Sequence, residues 1–245
     1  GVVGVLPTSN AKTVNQLDQW LYEISSTLMN YTKKTTPPWA ANIIVHSSSK
    51  RFEDDLFLLT KYKPEIVITA LGSPQRVVKQ VHKYGGMVFA DVSSVKYAKK
   101  AISSGADGLV LIGAGAGGHT GSLTGFSFVP AIRSFFNGPI ILGGGIINGS
   151  GVKAAEILGA NFSYIGTRFI ASTPSFASQR YKEIIIESTE ADIVTTDYFT
   201  GVPANFLIKS IIEAGINPKT INNNNDTKFD SNQKTRAWVD IWSAG

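Results

Sequence analysis

The sequence predicts an α/β fold of the TIM type, a (β/α)8 barrel, on three observations. Short apolar segments alternate with amphipathic helical patterns along the chain. Most of these segments are continuously apolar, as is typical of parallel strands that are covered on both faces. The glycine-rich loops follow the last three segments, whereas a Rossmann fold carries its glycine turn after the first strand. The positions of the loops therefore favour the barrel.

Seven of the apolar segments are predicted to be strands. They lie at residues 2–6, 42–46, 65–70, 87–91, 108–112, 139–143 and 162–166. A closed barrel of this class has eight strands, so we expect the first strand to be absent from the N-terminus and the chain to be a fragment. We expect one domain over residues 1–245, with barrel strands 2–8 and their helices in residues 1–170. Helices and loops of residues 171–245 are expected to pack on the barrel.

Helix signals fill the intervals between the predicted strands. Apolar residues recur at spacings of three and four from Val14 to Leu28, which indicates an amphipathic helix. Later helices are expected from about Val129, from about Gly151, over residues 175–188, and up to about Gly215. Residues 200–206 are predicted to form a glycine-containing loop, and the asparagine-rich residues 221–233 a polar surface loop.

The composition excludes several classes of protein. Of the 245 residues, 43% are hydrophobic and none is cysteine, which predicts a globular protein without disulfides or thiolate metal ligands and a cytoplasmic location. The three histidines are not spaced as metal ligands, which argues against a zinc site. The net charge of +5 is scattered rather than clustered, so we expect no nucleic-acid partner. The apolar runs are too short to span a membrane.

The stretch GAGAGGHTG, residues 113–121, contains the spacing G-x-G-x-x-G directly after a predicted strand. A dinucleotide site would require a helix to begin at once and an acidic residue to follow after about twenty positions. No helical pattern follows immediately, and no Asp or Glu occurs between His119 and Glu156. The glycines instead suit a backbone that lies against a flat ligand. His119 would then project from the carboxyl end of a barrel strand, as a proton acceptor.

Two further glycine loops indicate a phosphate-binding site. GGGIINGSG, residues 143–151, precedes a predicted helix, and IGTRF, residues 165–169, ends the last predicted strand. Backbone amides in such loops form sites for anions, especially at the start of a helix. The hydroxyl group of Thr167 is expected to add a hydrogen bond. Because phosphate sites of barrels of this class often lie after strands 7 and 8, both loops agree with the predicted fold.

In combination, these segments resemble the nitronate monooxygenase family, also known as the 2-nitropropane dioxygenases. The resemblance is carried by AGGHTG (116–121), GGGI (143–146) and YIGTRF (164–169), and it extends to KYKPEIVITALGSP (61–74), VHKYGGMVFADV (81–92) and FTGVPANF (199–206). It implies an FMN-dependent barrel that oxidises alkyl nitronates with O2 to carbonyl compounds and nitrite. It also implies small-molecule nitronates or nitroalkanes as partners; the oligomeric state is not defined, a homodimer being one option.

The resemblance assigns roles to individual residues. It makes His119 the catalytic base or hydrogen-bond partner of the nitro group. The residues that it assigns to FMN are Asn42, Gly117, Gly118, Gly144, Gly145, Tyr164, Ile165, Gly166 and Thr167. Of these, Gly117 is expected to lie against the flavin ring, and Gly145, Gly166 and Thr167 are expected to hold the phosphate.

The sequence departs from the family pattern at three places, which leaves alternatives open. The first barrel strand is not found, Ile112 replaces a glutamine that binds FMN in many members, and Asp91 occupies a strand end where relatives often carry His or Lys. Asp91 is interpreted as a structural acceptor or a site residue, and His46 and His82 as loop and helix-end residues. An FMN-dependent enoyl reductase that uses NAD(P)H and a non-catalytic flavin-binding remnant remain as alternative functions.

Overall fold

The structure, a computed structural model, describes residues 1–31, 37–221 and 241–245 as alternating strands and helices. The strands are β1 (Val5–Pro7), β2 (Ala40–Ile44), β3 (Ile66–Ala70), β4 (Met87–Val92), β5 (Gly108–Ile112), β6 (Gly118–His119), β7 (Ile140–Gly143), β8 (Phe162–Tyr164), β9 (Ile193–Thr196) and β10 (Ala204–Leu207). The α-helices are α1 (Val14–Tyr31), α2 (Phe52–Tyr62), α3 (Gln75–His82), α4 (Val95–Ser103), α5 (Gly125–Arg133), α6 (Gly149–Leu158), α7 (Thr167–Ile170), α8 (Gln179–Glu187) and α9 (Ile208–Glu213).

Seven strands form a sheet in the order β1-β2-β3-β4-β5-β7-β8. The pairs β1–β2, β2–β3, β3–β4 and β7–β8 are parallel. Apart from β6, strands β1 to β8 lie side by side in the order of the chain, and a helix separates most neighbours. This sequential order is that of a (β/α) barrel, whereas a Rossmann sheet has its first strand in the middle. The predicted fold class is confirmed.

The residues divide into two compact units. The first unit comprises residues 1–110 and 136–140, and the second comprises residues 111–135 and 141–245. The expectation of a single domain stays a prediction. Among the described residues, no helix combines the length and the apolar composition that are needed to cross a membrane.

The core of the first unit lies between the strands and helices α1–α3. Leu17, Leu21 and Leu59 from the helices are fully buried, and they belong to one apolar cluster with Val67 of β3 and Val88 of β4. These two strand residues share one face of the sheet, because side chains alternate between faces along a strand. The opposite face therefore remains for Ile68 and Phe89, which are also buried.

Several predicted boundaries need correction. The first predicted strand begins at Val5 rather than at residue 2. The strand predicted at residues 162–166 ends at Tyr164, and Gly166 lies immediately before helix α7. The helix expected from about Val129 begins at Gly125, and the one expected over residues 175–188 covers Gln179–Glu187.

The predicted loop at residues 200–206 is also wrong, since its second half belongs to a strand. Residues Ala204–Leu207 form β10, which pairs antiparallel with both β6 and β9 in a sheet of three strands. Propensity alone underrates such a strand, because its stability comes from its partners. Residues 222–233 of the predicted asparagine-rich loop lie outside the described residues.

Candidate functional site

The glycine loop at residues 113–119 is held by backbone hydrogen bonds to neighbouring segments of the second unit. The Gly113 N–H donates to the Gly143 carbonyl over 2.8 Å, and the Gly145 N–H donates to the Gly115 carbonyl over 3.1 Å. The hydroxyl group of Thr120 donates to the Gly113 carbonyl over 3.0 Å. The loop after β5 is thus fixed to the loop after β7. Helix α5 begins only at Gly125, as the rejection of a dinucleotide turn requires.

Strand β10 fixes the position of His119. His119 is the second residue of the short strand β6, and it lies opposite Ala204 in the antiparallel pair β6–β10. The adjacent Asn205 is 4% exposed, and its Nδ2 donates to the Ala116 carbonyl over 2.8 Å. Sequence reasoning missed Asn205; an amide between apolar residues of ANFL is the signal that identifies it. This side chain therefore secures the loop immediately before His119.

The environment of His119 favours its neutral form. The residue is half-buried, and burial lowers the pKa of its imidazole below the ordinary value. A neutral imidazole is able to accept a proton at pH 7. The position therefore suits a general base.

The turn after β7 contains the two glycines that the resemblance assigns to phosphate. Gly144 has a φ of 124° and Gly145 a φ of 67°, in the region that favours glycine. Gly145 is exposed, and a β-carbon there would meet no atom within 4 Å. Its amide already donates to the Gly115 carbonyl. Gly145 therefore lets an anion come close to the backbone, but it does not provide a free N–H.

The segment Tyr164–Thr167 connects β8 to helix α7. Tyr164 is the last residue of β8, Ile165 follows it, Gly166 precedes the helix and Thr167 is its first residue. Gly166 is exposed, and no atom lies within 4 Å of the place where its β-carbon would be. Thr167 Oγ1 accepts a hydrogen bond from the Gly245 N–H over 3.1 Å, which leaves its own hydrogen available to an acceptor.

The segment Trp242–Gly245 lies across the glycine loop, a contact that sequence reasoning also missed. The ring of Trp242 stacks on Tyr181 with 4.9 Å between centroids, and the Tyr181 hydroxyl donates to the Ser243 carbonyl. A β-carbon on Gly117 would lie 2.9 Å from the carbonyl carbon of Ala244. The observed neighbour of Gly117 is therefore this segment. Its expected contact with a flavin ring stays a prediction.

In the first unit, the structure pairs two polar residues of the strands. Asn42 lies in β2 rather than at a strand start, and its Nδ2 donates to Asp91 Oδ2 in β4 over 3.1 Å. His46 Nδ1 lies 2.7 Å from Ser48 Oγ in a loop, and His82 Nε2 lies 2.8 Å from Asp107 Oδ2 at the end of α3. In the part of the chain that the structure describes, no cluster of three or more His, Asp or Glu suits a metal ion.

The strand order is that of a (β/α) barrel, and comparison with known proteins defines the family. The family model of nitronate monooxygenases matches residues 13–238. The chain therefore belongs to the nitronate monooxygenase family.

Two relatives named as probable nitronate monooxygenases come from staphylococci. The protein of Staphylococcus haemolyticus is 27% identical over 218 residues, which are 80% of this chain and 61% of the relative. That of Staphylococcus saprophyticus is 32% identical over 174 residues, which are 66% of this chain and 49% of the relative. The chain thus spans about half to three-fifths of the length of these curated relatives.

Solved structures support the same fold. FabK from Thermotoga maritima superposes with a TM-score of 0.73 at 28% identity, covering 94% of this chain and 69% of that protein. A nitroalkane oxidase from Streptomyces ansochromogenes superposes with a TM-score of 0.75. At 20% identity, with 84% of this chain and 70% of that protein covered, the second comparison supports the fold alone.

The close approach at Gly117 makes a prediction about stability. Gly117→Ala should lower the free energy of unfolding by about 1–3 kcal/mol, because the new methyl group would overlap the backbone of Ala244. Gly149→Ala is the control, since its β-carbon would meet no atom within 4 Å and the residue lies in helix α6. Urea unfolding of both variants measures the effect. A Gly117→Ala variant as stable as the control would contradict the observed packing of Trp242–Gly245.

Proposed function

We propose that this chain forms the flavin-binding part of an FMN-dependent nitronate monooxygenase. The reaction oxidises alkyl nitronates with O2 to carbonyl compounds and nitrite. The observation that carries the proposal is the arrangement around the glycine loop in the second unit. There His119 lies at the end of the loop, and the turns after β7 and β8 leave free space beside Gly145 and Gly166, where a β-carbon would meet no atom within 4 Å.

These turns fit the phosphate group of FMN in chemistry and in space. Gly145 and Gly166 are exposed and leave room where other residues would place a β-carbon. The Thr167 hydroxyl retains a hydrogen to donate, since it accepts from Gly245. A hydrogen bond to a charged group of this kind contributes about 1.5–3 kcal/mol. The resemblance also assigns to FMN three other residues of these turns, Gly144, Tyr164 and Ile165, and the two glycines before His119, Gly117 and Gly118.

His119 acts as the base when the substrate is a neutral nitroalkane. Its imidazole accepts the proton from the α-carbon, and the electron pair of the broken C–H bond moves into the nitro group, which yields the nitronate anion. A nitronate that is supplied as the anion needs no such step. The bound flavin supplies the electron transfer, and the protein supplies binding and orientation. The contribution of Asn42 to FMN binding stays a prediction from the resemblance.

The proposed reaction is tested with the full-length protein after reconstitution with FMN. We expect rapid oxygen consumption and nitrite release with propionate 3-nitronate, and no anaerobic bleaching of the flavin by NADPH. Bleaching by NADPH without oxidation of the nitronate would instead identify an enoyl reductase. The barrel fold is compatible with this second activity. An enoyl reductase domain from Bacillus amyloliquefaciens shares the fold with a TM-score of 0.65 at 15% identity. A protein that takes up no flavin would contradict both enzymes.

The role of His119 is tested by comparing two substrates. Its pKa is lowered by burial, so the neutral, proton-accepting form persists from pH 7 down to below the ordinary value of 6.5. The pH at which turnover of a neutral nitroalkane falls to half should therefore lie below 6.5, the ordinary pKa of histidine. His119→Asn should reduce this turnover by about 10²- to 10⁴-fold, and oxidation of the preformed nitronate much less.

Oxygen uptake measures both rates, with His46→Gln as the control because His46 lies in an exposed loop. Equal losses with the two substrates in His119→Asn, or no loss at all, would show that His119 is not the base.

A further inference from the structure

The backbone that leads from the glycine loop to His119 is not fixed by its own residues. Only Gly117 and Gly118 separate Ala116 from His119, and Gly118 has a φ of 72°. Glycines permit many backbone conformations, so they do not determine the direction in which the next residue leaves the loop. The orientation of His119 must therefore come from contacts with other segments of the second unit.

Strand β10 and the residue before it supply these contacts. Pairing of β6 with β10 holds His119 itself, and the Thr120 N–H donates to the Pro203 carbonyl over 3.0 Å. Both of these contacts use the backbone. On the side of the loop before His119, the contact is made by a side chain, because Asn205 Nδ2 donates to the Ala116 carbonyl over 2.8 Å. The loop is thus held on both sides of the histidine.

The hydroxyl group of Thr195 fixes the direction in which the Asn205 amide points. Thr195 lies opposite Asn205 in the pair β9–β10, and its Oγ1 donates to Asn205 Oδ1. The oxygen of a carboxamide only accepts hydrogen bonds, and its nitrogen only donates them. If the amide were rotated by half a turn, its oxygen would face the carbonyl oxygen of Ala116. The Thr195 hydroxyl therefore holds the amide in the orientation that binds the loop.

A packing role alone does not account for an amide at position 205. Asn205 is 4% exposed, and the other residues of β10 are buried and apolar, namely Ala204, Phe206 and Leu207. A buried amide costs free energy unless its polar atoms form hydrogen bonds. Polar groups that are bonded at both ends contribute rigidity and a single conformation. Here the rigidity acts on Ala116, three residues before His119.

We infer that Asn205 and Thr195 are positioning residues for the deprotonation of a neutral nitroalkane, and that they act through the Ala116 carbonyl to orient the imidazole of His119. This inference rests on the proposed function, since it takes His119 as the base. The proton passes from the α-carbon to His119, and neither positioning residue exchanges it. A misplacement of the base by about 1 Å costs about 10²-fold in rate. Oxidation of a preformed nitronate does not need this step.

The inference is tested with Thr195→Val, which replaces the hydroxyl with a methyl group, and Thr195→Ser, which retains the hydroxyl. In the FMN-loaded protein, Thr195→Val should lower kcat for nitroethane about 3- to 10-fold, as expected for one lost hydrogen bond, with KM unchanged. Its oxidation of preformed nitronate should stay at the wild-type rate. Thr195→Ser should restore kcat. Thr173→Val, at an exposed position between α7 and α8, is the matched control and should keep both wild-type rates.

The orientation of His119 is also measured without turnover. Asn205→Leu removes both hydrogen bonds of the amide, so it should lower kcat for nitroethane about 10- to 100-fold. NMR of the imidazole nitrogens, in the full-length protein with and without FMN, should show one sharp set of His119 signals in wild type and Thr195→Ser. We expect broadened or doubled signals in Thr195→Val and Asn205→Leu. If Asn205→Leu does not fold, the two variants of the exposed Thr195 still provide the test.

The possible failures are distinguishable. Equal losses with nitroethane and its nitronate, a Thr195→Ser variant as slow as Thr195→Val, or unchanged His119 signals in Thr195→Val would overturn the positioning role and leave the proposed reaction standing. A wild-type protein that oxidises neither substrate would instead overturn the proposed reaction. In that case the imidazole signals alone decide whether Thr195 and Asn205 position His119.

Discussion

The candidate site depends on direct contact of the glycine loop with two other backbone segments, at positions where the loop itself carries no side chain. Gly113 and Gly115 of the loop after β5 form backbone hydrogen bonds to Gly143 and Gly145 at the end of β7. Ala244 of the segment Trp242–Gly245 lies against Gly117. Backbones approach so closely only where the β-carbon is missing. The glycines of the loop thus allow these segments of the second unit to pack together. The free space beside Gly145 and Gly166 is the part of this packing that a ligand could occupy.

The same contacts determine what His119 is able to do. Because β10 pairs with β6 and Asn205 bonds to the loop, the histidine is attached to a packed sheet rather than to a free loop. Its partial burial lowers the pKa of the imidazole, which favours the neutral form that accepts a proton. In the first unit, burial acts on Asp91 with the opposite result, since it raises the pKa of a carboxyl group. Both groups are thereby brought closer to neutrality at pH 7.

The sequence predicted the barrel strands well because continuous apolar runs between helical patterns are a local signal. The glycine loops were also predictable, since glycines after a strand are visible in sequence. By contrast, β10 and the segment Trp242–Gly245 owe their conformation to distant partners, such as Ala204 opposite His119 and Trp242 on Tyr181. The contact of Asn205 with Ala116 was equally hidden, because the two residues are 89 positions apart.

The central claim is that the turns after β7 and β8 bind the phosphate group of the cofactor. The most direct measurement compares the binding of FMN and of riboflavin, which lacks the phosphate, to the flavin-free protein by quenching of flavin fluorescence. Since a hydrogen bond to a charged phosphate contributes about 1.5–3 kcal/mol, loss of the bond from Thr167 alone should make riboflavin bind at least about 10-fold more weakly. Equal affinity for the two flavins would contradict the account.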